Sequence, residues 1–471
     1  MVLWKEWWQC VLQLRPACTR AVTFMWMVLV LLGLSIRSDL AGVTSFVRAG
    51  WLLPGAYRRL LHLFHTTALR LPQLTSLWTR LAYSRLFTPL RFGGRPVLAA
   101  DGLKAPKEGR KMPAVKHLHQ ESADNSKPAF ISGHSFQALG LLVQGPLGQV
   151  FCVPLISRIH EGLVFSNRCR RSLLDKLVAM FLPVAELLEE PVLLVADAYY
   201  ASRKVILPLL AKDHHLVTRV RSNTVAWQPP AQIPKRRRGR PRLYGDKLRL
   251  AKLWSRTTAF TTARSPVYGD INTEIKYLSI DLLWRPVGKL VRFVFVDHPS
   301  RGRLILMTTD LTLSPLDVIA IYGYRFKIEV SFKQAIHTLG TYAYHFWMMA
   351  MTPRARCSGN QYLHRKSEDY RRLVRRKMDA YHRYVQLACI AQGILQHLSL
   401  NFRKQVWNDF IARCWLRTMS PARPPSEAVV AHTLRVTLPE YLLNAPTTGE
   451  LKIFLLDNAD LDRCPELSLT G

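Results

Sequence analysis

Pro191-Val-Leu-Leu-Val-Ala-Asp-Ala-Tyr-Tyr200 is the stretch that decides the fold. The continuous apolar run that leads to Asp197 leaves no polar face. It therefore reads as a strand over 191–197 buried on both sides, the pattern of a sheet covered by helices. Asp197 closes the run. A carboxylate at the C-terminal tip of a buried strand is poorly placed for packing but well placed to meet a ligand at a sheet edge. Arg95-Pro-Val-Leu-Ala-Ala-Asp101 has the same form, with Asp101 at its end.

Around these two runs the texture alternates. Short apolar segments at 96–101, 129–144 and 149–157 read as strands, the last two joined by the turn Gln144-Gly-Pro-Leu-Gly148. Arg171–Glu190 reads as an amphipathic helix before the 191–197 strand. Ser202–Lys212 reads as a second helix, and His215–Arg221 as a further strand. The resulting order, β-β-β-α-β-α-β, is a mixed sheet with antiparallel early strands and parallel later ones. That is the α/β arrangement of the RNase H-like fold.

Five regions follow along the chain. Residues 1–93 read as helical, with breaks at Arg15-Pro16, Ser38-Asp39 and Leu53-Pro54-Gly55, which bound helices over Leu40–Ala49 and Ala56–Leu69. Tyr57–His65 is amphipathic with a basic side, either a solvated face or part of an N-terminal DNA-binding region. Residues 94–223 hold the first part of the sheet. Residues 224–313 interrupt it as a mostly β insertion, with strands over Tyr277–Trp284, Lys289–Val296 and Arg303–Thr309. Residues 314–400 return with one long helix, Ser314–Gly340, that carries Glu329, and then a densely basic helical stretch. Residues 401–471 form a helical C-terminal region with a helix over Ser426–Leu443.

With 471 residues, the chain is long enough for about two to four domains. Its 66 Lys and Arg stand against 32 Asp and Glu, a net charge of +34. The excess is spread along the chain, so it describes a surface that concentrates polyanions. The eight cysteines are scattered, with no Cys-x-x-Cys pair and no His spacing of a zinc site, and read as reduced thiols. Residues 23–34 are almost wholly apolar, but the run is shorter than the roughly 20 residues that span a bilayer. It reads as a buried helix rather than a membrane anchor.

Asp101, Asp197 and Glu329 are the candidate catalytic and metal-holding residues. Each also has a structural explanation. A strand-end Asp caps the turn or helix that follows. Glu329 has Arg325 and Lys333 four residues away on either side, the spacing of an i,i+4 ion-pair ladder.

Order and local context favour the chemical reading. The segment Asp101-Gly-Leu-Lys-Ala-Pro-Lys-Glu-Gly-Arg-Lys-Met-Pro-Ala-Val-Lys, with Leu118-His-Gln-Glu-Ser and Gly133-His134, resembles the first catalytic block of bacterial insertion-sequence DDE transposases. Val195-Ala-Asp197-Ala-Tyr-Tyr is similar to their second block. Tyr322-Gly-Tyr-Arg325-Phe-Lys-Ile-Glu329 resembles the Tyr-x2-Arg-x3-Glu part of the Tyr-Arg-Glu-Lys signature of the cut-and-paste group. In that group a β insertion precedes the Glu helix, and Gly239-Arg-Pro-Arg-Leu-Tyr-Gly245 is similar to such insertions. The resemblance spans roughly residues 40 to 440. One position departs: the signature asks for Lys where this chain has Ile336, with Lys333 and His337 nearby on the helix.

The resemblance implies a DNA transposase that binds terminal inverted repeats, cuts there and joins the ends to a target. Asp101, Asp197 and Glu329 would hold two Mg²⁺ ions about 4 Å apart, with Mn²⁺ as a substitute. Tyr322, Arg325 and Lys333 would contact phosphate. Arg236, Arg237, Arg238, Arg240 and Arg242 lie in a run that is either a solvated loop or a DNA contact, such as Arg in a narrow minor groove. The basic residues Arg371, Arg372, Arg375, Arg376 and Lys377 offer a backbone contact or a solvated face. Trp227, Trp254 and Trp284 fit core packing or stacking on a flipped base. The implied partners are double-stranded DNA and a second copy of the chain in the synaptic complex, with no membrane, in the bacterial cytoplasm at the nucleoid. The alternative is a catalytically impaired, transposase-derived DNA-binding protein, with Ile336 in its favour.

Overall fold

The computed structural model describes residues 2–120, 128–230, 242–446 and 449–463. The chain folds as two compact units. One is built from Pro89–Asp101 and Arg171–Glu329, the other from Met1–Thr88, Gly102–Arg170 and Val330–Gly471.

The first unit grows from the two apolar runs. Val97 to Ala100 and Val192 to Ala196 are completely buried. The strand Leu193–Ala196 lies parallel to the strand Arg95–Pro106, with Val97 opposite Leu193 and Ala99 opposite Val195. On its other side it runs parallel to His215–Val220. The helices between them begin where their caps require. Ser172 and Asp175 form a capping box at Leu173–Glu186, and Ser202 caps Arg203–Leu210.

From His215–Val220 the sheet continues antiparallel through Gly302–Thr308, Lys289–His298 and Glu274–Trp284. The strands expected within 224–313 thus pair onto this sheet. Arg95 reaches from the first strand to buried Asp310 at 2.7 Å, which ties the turn after Thr308 to the start of the sheet.

The long helix expected over Ser314–Gly340 is two helices, Pro315–Tyr324 and Phe326–His337. The turn between them is Arg325, whose N–H bonds Tyr322 O while its own carbonyl accepts from Ile328 N. These three-residue spacings tighten the backbone locally.

In the second unit the strands Lys116–His119, Phe130–Gln144 and Val150–Ile159 pair antiparallel. Against Val150–Ile159 lies a helix of 34 residues, Glu368–Asn401, buried almost continuously from Ala380 to Ser399. Its buried Gln386 donates to Leu155 O at 2.8 Å, so a polar side chain in the core keeps a partner. The apolar run near the N-terminus is the helix Ala21–Ile36, buried from Phe24 onward. Among the described residues no helix is long and apolar enough to cross a membrane.

The helix expected from Leu40 starts later, at Val43, after Gly42 with a φ of 67°. Asp39 does not cap it, because its carboxylate accepts from Ala41 N and pairs with Arg48. The helix expected over Ala56–Leu69 ends at His65. A large mixed sheet with helical segments at both ends of the chain is consistent with an RNase H-like fold.

One glycine in this unit is fixed by packing. Gly393 sits inside the 34-residue helix, where glycine costs about 1 kcal/mol relative to alanine. A Cβ there would lie 2.2 Å from the Trp78 ring, whose indole N–H donates to Pro154 O. Gly393→Val is therefore expected to destabilise the protein by about 1–3 kcal/mol. A denaturant midpoint equal to that of the wild type would show that Trp78 yields freely.

Candidate active site

Asp101, Asp197, Tyr322, Arg325 and Glu329 all belong to the first unit. Asp101 is not at a strand tip, because its strand runs on to Pro106. It lies just past Ala99, the last residue of that strand paired with Leu193–Ala196. Asp197 does end its strand. Its carboxylate accepts from Tyr199 N at 3.0 Å and caps the short turn Ala198–Tyr200, so the capping role coexists with a place at the sheet edge. Thr218 on the neighbouring strand donates to the Asp197 carbonyl at 2.6 Å and fixes the backbone there.

Arg325 joins Asp101 and Glu329. One guanidinium nitrogen bonds Asp101 Oδ2 at 2.9 Å and the other bonds Glu329 Oε1 at 2.7 Å. The expected i,i+4 pair with Glu329 is thus present, but the same side chain also holds a carboxylate 224 positions away in sequence. The Arg325 side chain is 18% exposed, Asp101 19% and Glu329 40%. Burial alone would lower the Arg325 pKa, but Asp101 and Glu329 outweigh it and hold it above its ordinary value.

Tyr322 completes the contact from the turn before. Its ring lies 5.9 Å from the Arg325 guanidinium. Burial raises its phenol, Arg325 and Arg219 oppose that rise, and Asp197 adds to it. Tyr322 therefore lies in the field of both Arg325 and Asp197.

Arg325 is in direct contact with both Asp101 and Glu329, and the Asp197 charge acts on the neighbouring Tyr322. Among the described residues the three carboxylates do not place their oxygens within 4.8 Å of one another. Lys333 is exposed on Phe326–His337, one turn after Glu329, and Ile336 on the same helix is 38% exposed. Arg242 is exposed. Arg236, Arg237, Arg238 and Arg240 lie outside the described residues.

Two concavities border the cluster. A cavity of about 460 Å³ is lined by Tyr322, Arg325 and Phe326 together with Tyr268, His298 and Arg301. A more open one, also about 460 Å³, lies beside Ala198 and is lined by Arg219 and Arg221. Arg219 was missed in the sequence because it sits in an ordinary strand. Its signal is alternation, an exposed residue between buried Thr218 and Val220. The three tryptophans pack within the unit. Trp254 stacks on Phe260, Trp227 contacts Tyr244, and Trp284 is buried.

The arrangement places a cation between two oxygen donors and basic side chains on the flanking walls. It suits a phosphodiester, whose charge the arginines would meet by paired hydrogen bonds. Arg325→Ala leaves Asp101 and Glu329 without their counter-charge, so stability should fall by about 1–3 kcal/mol. Added Ca²⁺ should restore more melting temperature to this variant than to the wild type. Equal shifts for both proteins would show that the two carboxylates do not share a cation position.

No curated protein matches the chain. A family profile described as DDE superfamily endonuclease matches residues 13–267, a segment that includes Asp101 and Asp197 and ends before Glu329. That match covers more than half of the 471 residues, and the chain belongs to the DDE superfamily endonuclease family.

Proposed function

We propose that the protein is an insertion-sequence DNA transposase that binds terminal inverted repeats, cleaves at them and transfers the ends to target DNA. The observation that carries this reading is the Arg325 guanidinium held at once by Asp101 and Glu329. It joins the first and third acidic positions at a point where one positive charge already sits. Family membership and the net charge of +34 supply the context.

The donor set fits a hard divalent ion, because Asp101, Asp197 and Glu329 offer oxygen only, with no thiolate or imidazole. These three residues would hold Mg²⁺, or Mn²⁺ in its place. When bound, two such ions supply an activated water or 3′-hydroxyl and neutralise the leaving oxygen. The residues of the chain do the rest. Arg325, released from the carboxylates, has a fork of donors for the non-bridging oxygens of the scissile phosphate, and Tyr322 orients that fork. Arg219 and Arg221 line the wall beside Asp197 and would guide the strand. The reaction would run in a synaptic homodimer on DNA at the nucleoid, with the β-rich 224–313 region as the insertion of this group.

Asp197→Ala is expected to lower cation-dependent cleavage of DNA bearing the element's ends by more than about a hundredfold, since outer-shell partners of a metal alone cost about ten- to a hundredfold. Binding in a gel shift should be unchanged. Persistent cutting by the variant would remove Asp197 from the site.

A second reading, a transposase-derived DNA-binding protein that no longer cuts, rests on Ile336, an apolar side chain 38% exposed where the signature has Lys. Exposure means that Lys fits there without entering a core, so Ile336→Lys should keep or raise cleavage. A sharp loss of activity would mark Ile336 as an adapted residue.

A further inference from the structure

A second set of donors lies in the other compact unit. Glu6 and Cys10 are four residues apart on the helix Val2–Leu12, so both project from one face. His397 comes from the end of Glu368–Asn401. His397 Nε2 lies 3.0 Å from Glu6 Oε1, and Cys10 Sγ lies 3.8 Å from that same oxygen. All three donor atoms fall within 4.8 Å of one another.

Tetrahedral zinc with bonds of about 2.0–2.3 Å would separate its nitrogen and oxygen ligands by roughly 3.3 Å and its sulfur and oxygen ligands by roughly 3.6 Å. The two spacings to Glu6 therefore need to change by only a few tenths of an ångström, and the Cys10 and His397 donor atoms already lie within 4.8 Å of each other. We propose that Glu6, Cys10 and His397 form a binding site for a borderline-soft divalent metal, Zn²⁺ above all, that fastens the first helix to the end of the long one.

The surroundings allow a ligand role for His397. Its other ring nitrogen, Nδ1, lies 3.1 Å from Leu86 O and 2.8 Å from Asn401 Nδ2, which itself donates to Leu86 O at 3.0 Å, so Nδ1 either donates to that carbonyl or accepts from the amide. When Nδ1–H donates to Leu86 O, the Nε2 lone pair faces the Glu6 carboxylate. Two acceptors at 3.0 Å then need a shared cation or proton between them. A backbone carbonyl on the far nitrogen is the usual orienting partner of a metal-bound histidine.

Phe87 and Phe402 meet the imidazole edge-on, and Cys10 and His397 are both buried, so the donors are pre-positioned and screened from water. Arg85 is the nearby opposing charge. Thiolate and carboxylate together balance a divalent ion, with the Cys10 proton passing to solvent on binding. A thiolate also separates this site from the all-oxygen one, because it selects Zn²⁺ or Co²⁺ over Mg²⁺. The competing arrangement is a plain hydrogen bond, Nε2–H to Glu6, with Cys10 as a buried thiol beside it.

The test uses full-length protein stripped with a chelator and titrated with Co²⁺, followed by the near-ultraviolet thiolate-to-cobalt absorption. The thiolate-to-cobalt band should saturate at one equivalent, Zn²⁺ should abolish it, and excess Mg²⁺ should not. Zn²⁺ should also raise the melting temperature by several degrees. Cys10→Ser keeps the size of the side chain and the Glu6–His397 contact, and it should lose both the absorption and the Zn²⁺-dependent stabilisation. Absence of a stoichiometric band in the wild type would overturn the proposal. So would a band that survives in Cys10→Ser, because exposed Cys169 and Cys357 would then be its source.

Discussion

Two carboxylates converging on one side of a protein need a positive charge between them, and here Arg325 supplies it. Asp101 arrives on the first strand of the sheet and Glu329 on a helix far along the chain, and the Arg325 guanidinium bonds both. Much of the first unit can be read as the means of meeting that constraint. The completely buried apolar runs fix Asp101 and Asp197 to the sheet. The capping box at Ser314 fixes the start of the helix that leads to Arg325. The helix then turns at Arg325 itself, so the side chain that joins the carboxylates also sits where the backbone changes direction. Arg325 marks where a cation is favoured, and the same charge can serve a phosphate once the carboxylates have another partner.

Much of the fold was legible because it is local. The 191–197 run appears as Leu193–Ala196, and helices start inside the expected segments Arg171–Glu190, Ser202–Lys212, Ser314–Gly340 and Ser426–Leu443, each behind a capping serine. The apolar segment at 23–34 lies in the buried helix Ala21–Ile36. What could not be read depends on contacts distant in sequence. Asp101 looked like a strand tip because its apolar run stops there, yet the strand continues through Gly102 to Pro106. Residues 224–313 read as a mostly β insertion, and only the pairing of Gly302–Thr308 with His215–Val220 shows where its strands join the sheet.

Of the candidate site, the identities of the acidic residues were legible and their geometry was not. Periodicity gave the Arg325–Glu329 pair, since four residues on a helix bring two side chains together. The Asp101–Arg325 bond is long-range and left no trace in spacing. Arg219 was hidden in a strand of ordinary composition. The grouping of Glu6, Cys10 and His397 is the extreme case. The spacing rules for zinc look for neighbours in sequence, and here the third donor comes from another helix near the far end of the chain.

Asp101, Asp197 and Glu329 are proposed to surround one cation-dependent phosphodiester site, and metal-directed cleavage of the protein tests this directly. Fe²⁺ placed where Mg²⁺ binds generates oxidants that cut the protein backbone near its ligands, and the fragments report which segments surround the ion. Fe²⁺-dependent cuts are expected close to residues 101, 197 and 329, suppressed together by excess Mg²⁺. Mg²⁺-sensitive cuts confined to other segments would place the ion elsewhere.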